Sequence, residues 1–270
     1  MRIIALFNQK GGVGKTTTTV NLGAALADAG KKIVLIDLDP QANLTTHLGI
    51  DPDTVTHSTY SVLTDGIPLA ESLQTVATAN STLQVAPATT DLAAAEVELV
   101  SVPGRELLLR KMAHAQKIDA DYILMDCPPS LGLLSLNALA YATEVIVPLQ
   151  AHFLALQGME KLFDTIAMVR QGLNPTLRIS GILFCQFESA AKLTSEVTGE
   201  VEKFVEQARN TTHPVATAVI FETPIRRNIK LAEAPSFGTS IFQYASNCAG
   251  ATDYAALAQE VIAMEKKKGA

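Results

Sequence analysis

The sequence predicts an α/β fold: a single doubly wound, mostly parallel sheet flanked by helices. Three observations predict it. Short apolar, β-branched runs recur along the chain with amphipathic helical patterns between them, and strands that alternate with helices pair in parallel through crossover connections. The runs are near-continuous in apolar residues rather than alternating, as strands covered on both faces are. No Pro/Gly/Ser-rich linker, internal repeat or abrupt change of composition divides the 270 residues. Residues 1–270 are therefore expected to form one domain, close to the size at which a single core stops growing.

Strands are expected at 2–7 (RIIALF), 32–37 (KIVLID), 83–88 (LQVAPA), 121–126 (DYILMD), 144–149 (EVIVPL), 178–184 (RISGILF) and 214–220 (PVATAVI). Helical patterns lie at 16–29, 104–117, 130–141, 157–171 and 194–208. The polar, irregular stretch 50–80 is expected as a peripheral excursion before the third strand. The C-terminal stretch ATDYAALAQEVIAMEKKKGA has small apolar residues, Glu260 and Glu265, and no Phe or Trp. It fits a last helix packed on the core rather than a membrane anchor, with a solvated EKKKGA end.

Composition narrows the function classes. Lys and Arg total 21 against 27 Asp and Glu, a formal charge of −6, so any grip on nucleic acid phosphates must come from a local patch. No run approaches the ~18 to 20 apolar residues of a membrane span, and MRIIALF reads as a first strand rather than a signal peptide. Cys127, Cys185 and Cys248 contain no C-x-x-C pair, which argues against a disulfide framework or a zinc site and fits a reducing cytoplasm. Cys127 is expected as a small core residue, and the five scattered histidines have no ligand spacing.

The chemistry concentrates in NQKGGVGKTTTT, residues 8–19. A strand, a glycine loop and a helix in succession make a phosphate cradle, because glycine tolerates unusual backbone angles while loop amides and the helix N-terminus face the anion. Gly11, Gly12, Val13 and Gly14 supply the loop, Lys15 the cation for the β and γ phosphates, Thr16 a magnesium ligand and Thr17 a contact to the α phosphate. The strict G-x-x-x-x-G-K-[ST] pattern is not met, since its first glycine falls on Gln9.

Two acidic stretches support the same site. VLIDLDPQAN places Asp37 at the end of a strand and Asp39 two residues on, at the edge of an α/β sheet where ligands bind. YILMDCPPS ends a strand in Asp126 before the rigid Pro128-Pro129 turn. A carboxylate there holds magnesium through a water, and the turn is suited to sensing the γ phosphate.

The loop from Lys10 to Thr16 resembles K-G-G-x-G-K-[ST] of the deviant Walker-A ATPases of the partition and Min type, P-loop proteins. The resemblance implies ATP and Mg2+ as cofactors and a nucleotide-sandwich homodimer in which Lys10 reaches the phosphates of the other subunit. It also implies that Asp39 is needed for hydrolysis and that Asp37 lies near the magnesium. The segments TTDLAAAEVELV, GRELLLRKM, DCPPSLGLLSLNAL, VIVPLQAHFLALQGMEKLFDTI and IRRNIKLAEAPSFGTSI extend it over nearly the whole chain, and there they look like partition ATPases of the ParA/Soj type. The same likeness implies that the base lies between the strand end around Gln186 and Phe187 and the loop at Pro224 to Arg226.

Such a resemblance implies a cytoplasmic, nucleoid-associated ATPase that partitions chromosomal or plasmid DNA. It would bind DNA without sequence preference as the ATP dimer and release it when a ParB-like adaptor stimulates hydrolysis. Arg227 and Lys230 match a basic stretch of the family, with a solvated loop or an adenine-side contact as the alternative. Elsewhere the charges are missing: FESAAKLT has Ala190 where an arginine is usual and only Lys192 nearby, and YASNCAGA, with Asn247, is uncharged. Weak, salt-sensitive DNA binding is expected. The alternatives are a paralogue positioning a chemoreceptor cluster or carboxysome and a Min-type membrane-cycling ATPase. An iron-sulfur reductase lacks its paired cysteines here.

Overall fold

The computed structural model describes residues 1–151, 154–188 and 192–266, without the side chains of 154–157, 192–195 and 266. Among them, β1 (Arg2–Leu6), β2 (Ile33–Asp37), β3 (Gln74–Ala77), β4 (Thr82–Ala86), β5 (Tyr122–Asp126), β6 (Glu144–Gln150), β7 (Arg178–Phe187), β8 (Val219–Ile220) and β9 (Ile225–Arg226) form one sheet. Its order is β3-β4-β2-β5-β1-β6-β7-β8, with β9 also on β7. Every pairing is parallel except β3 with β4, as the expected doubly wound sheet requires.

The near-continuous apolar runs have their reason in two cores. Ile3, Ala5 and Phe7 face one hydrophobic cluster, while Ile4 and Leu6 face the other, because successive strand side chains point to opposite faces. The helices that cover these faces are α1 (Lys15–Asp28), α2 (Asn43–His47), α3 (Thr59–Thr64), α4 (Leu92–Glu98), α5 (Leu108–Ala115) and α6 (Leu133–Tyr141). After them come α7 (Leu154–Gly172), α8 (Lys192–Ala208), α9 (Ile229–Glu233), α10 (Ile241–Tyr244) and α11 (Ala249–Lys266).

Three expectations need correction. The run 214–220 is strand only at Val219–Ile220; before it the chain turns, with Ala216 N–H bonded to the His213 carbonyl and Ala218 N–H to that of Val215. The stretch 50–80 is not merely irregular, since it carries α3 and the antiparallel edge strand β3, whose residues alternate in burial. The pattern at 104–117 divides into a short 3-10 turn at Arg105–Leu107 and α5.

α11 packs as expected: Tyr254, Leu257, Ala258 and Val261 are buried in the same cluster as Val20, Leu22 and Leu26 of α1. Of the EKKKGA end, residues 267–270 lie outside the described ones, and Glu265 pairs with Lys31. No described helix is long and apolar enough to cross a membrane.

Candidate nucleotide site

The parallel strands end on one edge, where the β1–α1 loop lies beside the ends of β2 and β5. Gly12 and Gly14 have φ of 72° and 94°, the left-handed region that glycine enters without a Cβ penalty. Gln9 is outside that region and its amide donates to Thr165 Oγ1 at 3.2 Å. The site where the strict pattern has glycine thus holds a side chain that ties the loop to α7.

The Gly12 carbonyl accepts from Gln150 Nε2 at 3.1 Å and Gln186 Nε2 at 2.9 Å. Lys10 is exposed, with Nζ 3.5 Å from Gln150 Oε1. Lys15 is buried and donates to the Lys10 carbonyl at 3.1 Å. Burial lowers the pKa of its ammonium, against the charges of Asp126 and Asp39.

Thr16 Oγ1 donates to Asp126 Oδ2 at 2.6 Å, while Asp126 Oδ1 is buried with no partner. Asp37 pairs with Asp126 in strand register. Burial pushes both carboxyl pKa values up, and the Asp37 charge pushes Asp126 further. An unsatisfied buried carboxylate oxygen beside a threonine hydroxyl suits magnesium, which takes few protein ligands and keeps waters and substrate phosphates. Among the described residues no cluster of three or more His, Cys, Asp and Glu that could hold a metal ion occurs.

Asp37, beside Asp126, is itself held by the turn that follows it. Its Oδ2 accepts from Thr45 N–H at 3.0 Å and Thr45 Oγ1 at 2.7 Å, and its Oδ1 from Asp39 N–H at 3.1 Å. It anchors the turn that carries Asp39 into the cleft. That cleft, about 480 Å³, is walled by Gly11, Gly12, Lys15, Thr16, Asp39 and Pro129 among others. It continues past Gly14, Thr17 and Gln186 into a second cavity of about 360 Å³ that also meets Arg226 and Leu231. Pro224 is not among the residues lining either cavity.

The family model described as AAA domain matches residues 1–179. The chain is 44% identical to the chromosome partitioning protein ParA of Myxococcus xanthus over 99% of this chain and 90% of that protein. It is 42% identical to the sporulation initiation inhibitor protein Soj of Bacillus subtilis over 97% of this chain and 98% of that one. The chain belongs to the ParA/Soj family. Among solved structures, the cobyrinic acid a,c-diamide synthase of Mycobacterium smegmatis with a bound ATP analogue and magnesium superposes with a TM-score of 0.80 at 34% identity. That comparison covers 98% of this ParA/Soj chain and 96% of the synthase.

Two of the cations expected to face DNA in a ParA/Soj protein are engaged here. Arg227 pairs with Glu188 at 3.0 Å and Lys230 with Glu233 at 2.8 Å. Lys192 begins α8, but its side chain lies outside the described residues, as does Ala190. Arg226 forms a forked pair with Asp253, which is 4% exposed. Cys127 is fully buried, and desolvation followed by the Asp126 charge raises its thiol pKa, so it is a core residue.

One wall residue of the cleft escaped the sequence. His47 is buried and lines the cleft of this ParA/Soj chain; no spacing marks it, and only the fold brings it there. Burial lowers its pKa to about 4, partly offset by a hydrogen bond to the Thr239 backbone. A neutral imidazole is therefore favoured in the folded state, and this contribution is complete above the unfolded pKa of ~6.5 and lost as pH falls toward the folded value. About 3 kcal/mol of stability is expected to disappear across that window. Urea unfolding at pH 7 and near pH 4 should show a smaller acid-side loss in His47→Phe than in the wild type.

Proposed function

We propose that this chain is a one-domain ATPase of the partition type that dimerises with ATP and Mg2+ and binds DNA without sequence preference in that state. A ParB-like adaptor would stimulate hydrolysis and release it, so it would be cytoplasmic and nucleoid-associated while ATP is bound. The observation that carries this reading is the paired lysines of one loop. Lys15 is buried against its own cleft, and Lys10 stands exposed at the rim, where a second subunit's triphosphate can approach.

Thr16 and Asp126 would hold magnesium, Asp126 through a water, with Asp37 behind them. Bound there, the ion would supply positive charge against the phosphates. Loop amides from Gly11 to Gly14 orient the phosphates, and the Lys15 ammonium matches the charge developing between the β and γ phosphates. Asp39, in the cleft wall, positions and deprotonates the attacking water. Lys10 supplies a second cation across the dimer, which couples ATP occupancy to assembly.

For DNA the pairs of Arg227 and Lys230 are exposed. Exposed pairs contribute only ~0 to 1 kcal/mol, so phosphates can replace the acids. The ATP-loaded protein is expected to be retained on bulk double-stranded DNA at low salt, with steep loss as salt rises. Absence of ATP-dependent retention in a low-salt pull-down would overturn the DNA assignment.

A further inference from the structure

We propose that Asp253 and Glu260 of α11 are positioning residues for the nucleotide base. The inference rests on placing the base in the cavity walled by Gln186, Arg226 and Leu231. Ile225 to Asn228 form one side of that cavity, and the segment that leads into them leaves the sheet after β8 and returns as β9. Between them it is bound mainly to α11.

Glu260 Oε2 and Oε1 accept from the N–H groups of Glu222 and Thr223, each at 2.9 Å. Asp253 Oδ2 accepts from Arg226 N–H at 3.0 Å, and both its oxygens take the Arg226 Nε at 3.0 Å. Residues seven apart share one helix face about 10.5 Å along the axis. The two acids are thus a pair of clamps spaced along one ridge. Tyr254, next to Asp253, lines the cavity and its hydroxyl lies 3.2 Å from Thr18 Oγ1 on α1. One helix therefore fixes the base wall relative to the helix that begins at the phosphate loop.

The docking of α11 does not depend on these acids. Leu257, Ala258 and Val261 are buried, Arg2 Nη1 donates to the Val261 carbonyl at 2.7 Å, and Lys31 pairs with Glu265. Removing a clamp releases the wall segment and leaves the helix in place. The base should then lose its binding surface while the phosphates keep theirs.

The test compares the affinity of the full chain for ATP and for inorganic triphosphate, both with magnesium, in Asp253→Ala and Glu260→Ala. ATP is expected to weaken by roughly tenfold or more, since the lost bonds involve a charged partner, with triphosphate affinity unchanged. Equal weakening of both ligands, or unchanged ATP affinity, would overturn the clamp role. Leu231→Trp, which fills the cavity, separates the two ideas. If it leaves ATP affinity intact, the base placement fails; if it weakens ATP while the acid variants do not, only the clamps fail.

Discussion

Asp39→Ala is expected to accumulate as an ATP-bound dimer and to hydrolyse ATP on the order of 10² to 10³ times more slowly. Its carboxylate is partly exposed in the cleft wall, held there by the Gln41 N–H on Oδ1 and by its own N–H on Asp37. The substitution removes the group that would activate water and one negative charge facing the triphosphate. Binding should persist while turnover stops. Adding Lys10→Ala to Asp39→Ala is expected to return the ATP-loaded protein to a monomer, because the charge supplied across the interface is gone. In the single chain Lys10 Nζ rests 3.5 Å from Gln150 Oε1, at the exposed side of the loop. Sizing by light scattering with ADP and ATP reads both outcomes; an Asp39→Ala protein that stays monomeric with ATP would rule out the sandwich dimer.

Lys15→Ala is expected to abolish nucleotide binding at micromolar ATP and to cut hydrolysis by on the order of 10³ or more, the scale of losing a preorganised charge in phosphoryl transfer. Lys15 is buried among the acids Asp126 and Asp39. Without its ammonium, the triphosphate meets their negative charge with less compensation, and the bond that ties the loop to the Lys10 carbonyl is also lost. The two lysines then separate cleanly: Lys10→Ala retains ATP affinity, Lys15→Ala does not. Equilibrium binding of a fluorescent ATP analogue distinguishes them, and equal losses would mean that Lys10 acts on its own subunit's nucleotide.

The strands that carry the site were legible because both faces are covered. Residues such as Ile3 to Leu6 and Ile33 to Ile36 are buried without interruption, which leaves an unbroken apolar signature. β3 was missed since QTVA alternates around a half-exposed edge and sits in a polar stretch. PVATAVI was overread: β-branched composition cannot distinguish a buried turn from a strand when the pairing itself is only two residues long.

The phosphate loop was readable because its chemistry is local, with all its residues inside twelve positions. The Asp37 to Thr45 anchor, His47 in the cleft wall and the α11 acids were not. The first two depend on residues brought together by a turn or by the fold; the two acids share one face of α11, but the backbone groups they hold belong to another segment, which helix spacing does not reveal.

Gln150 and Gln186 both hold the carbonyl of Gly12, and that grip has a directional consequence. A trans peptide is planar, with its N–H opposed to its C=O, so the N–H of Val13 points away from the two glutamines. A cradle whose dipoles are aligned before the anion arrives loses little conformational freedom on binding. Loosening either glutamine should therefore slow capture of ATP and leave its escape less affected, a change in association kinetics rather than in the chemistry of hydrolysis.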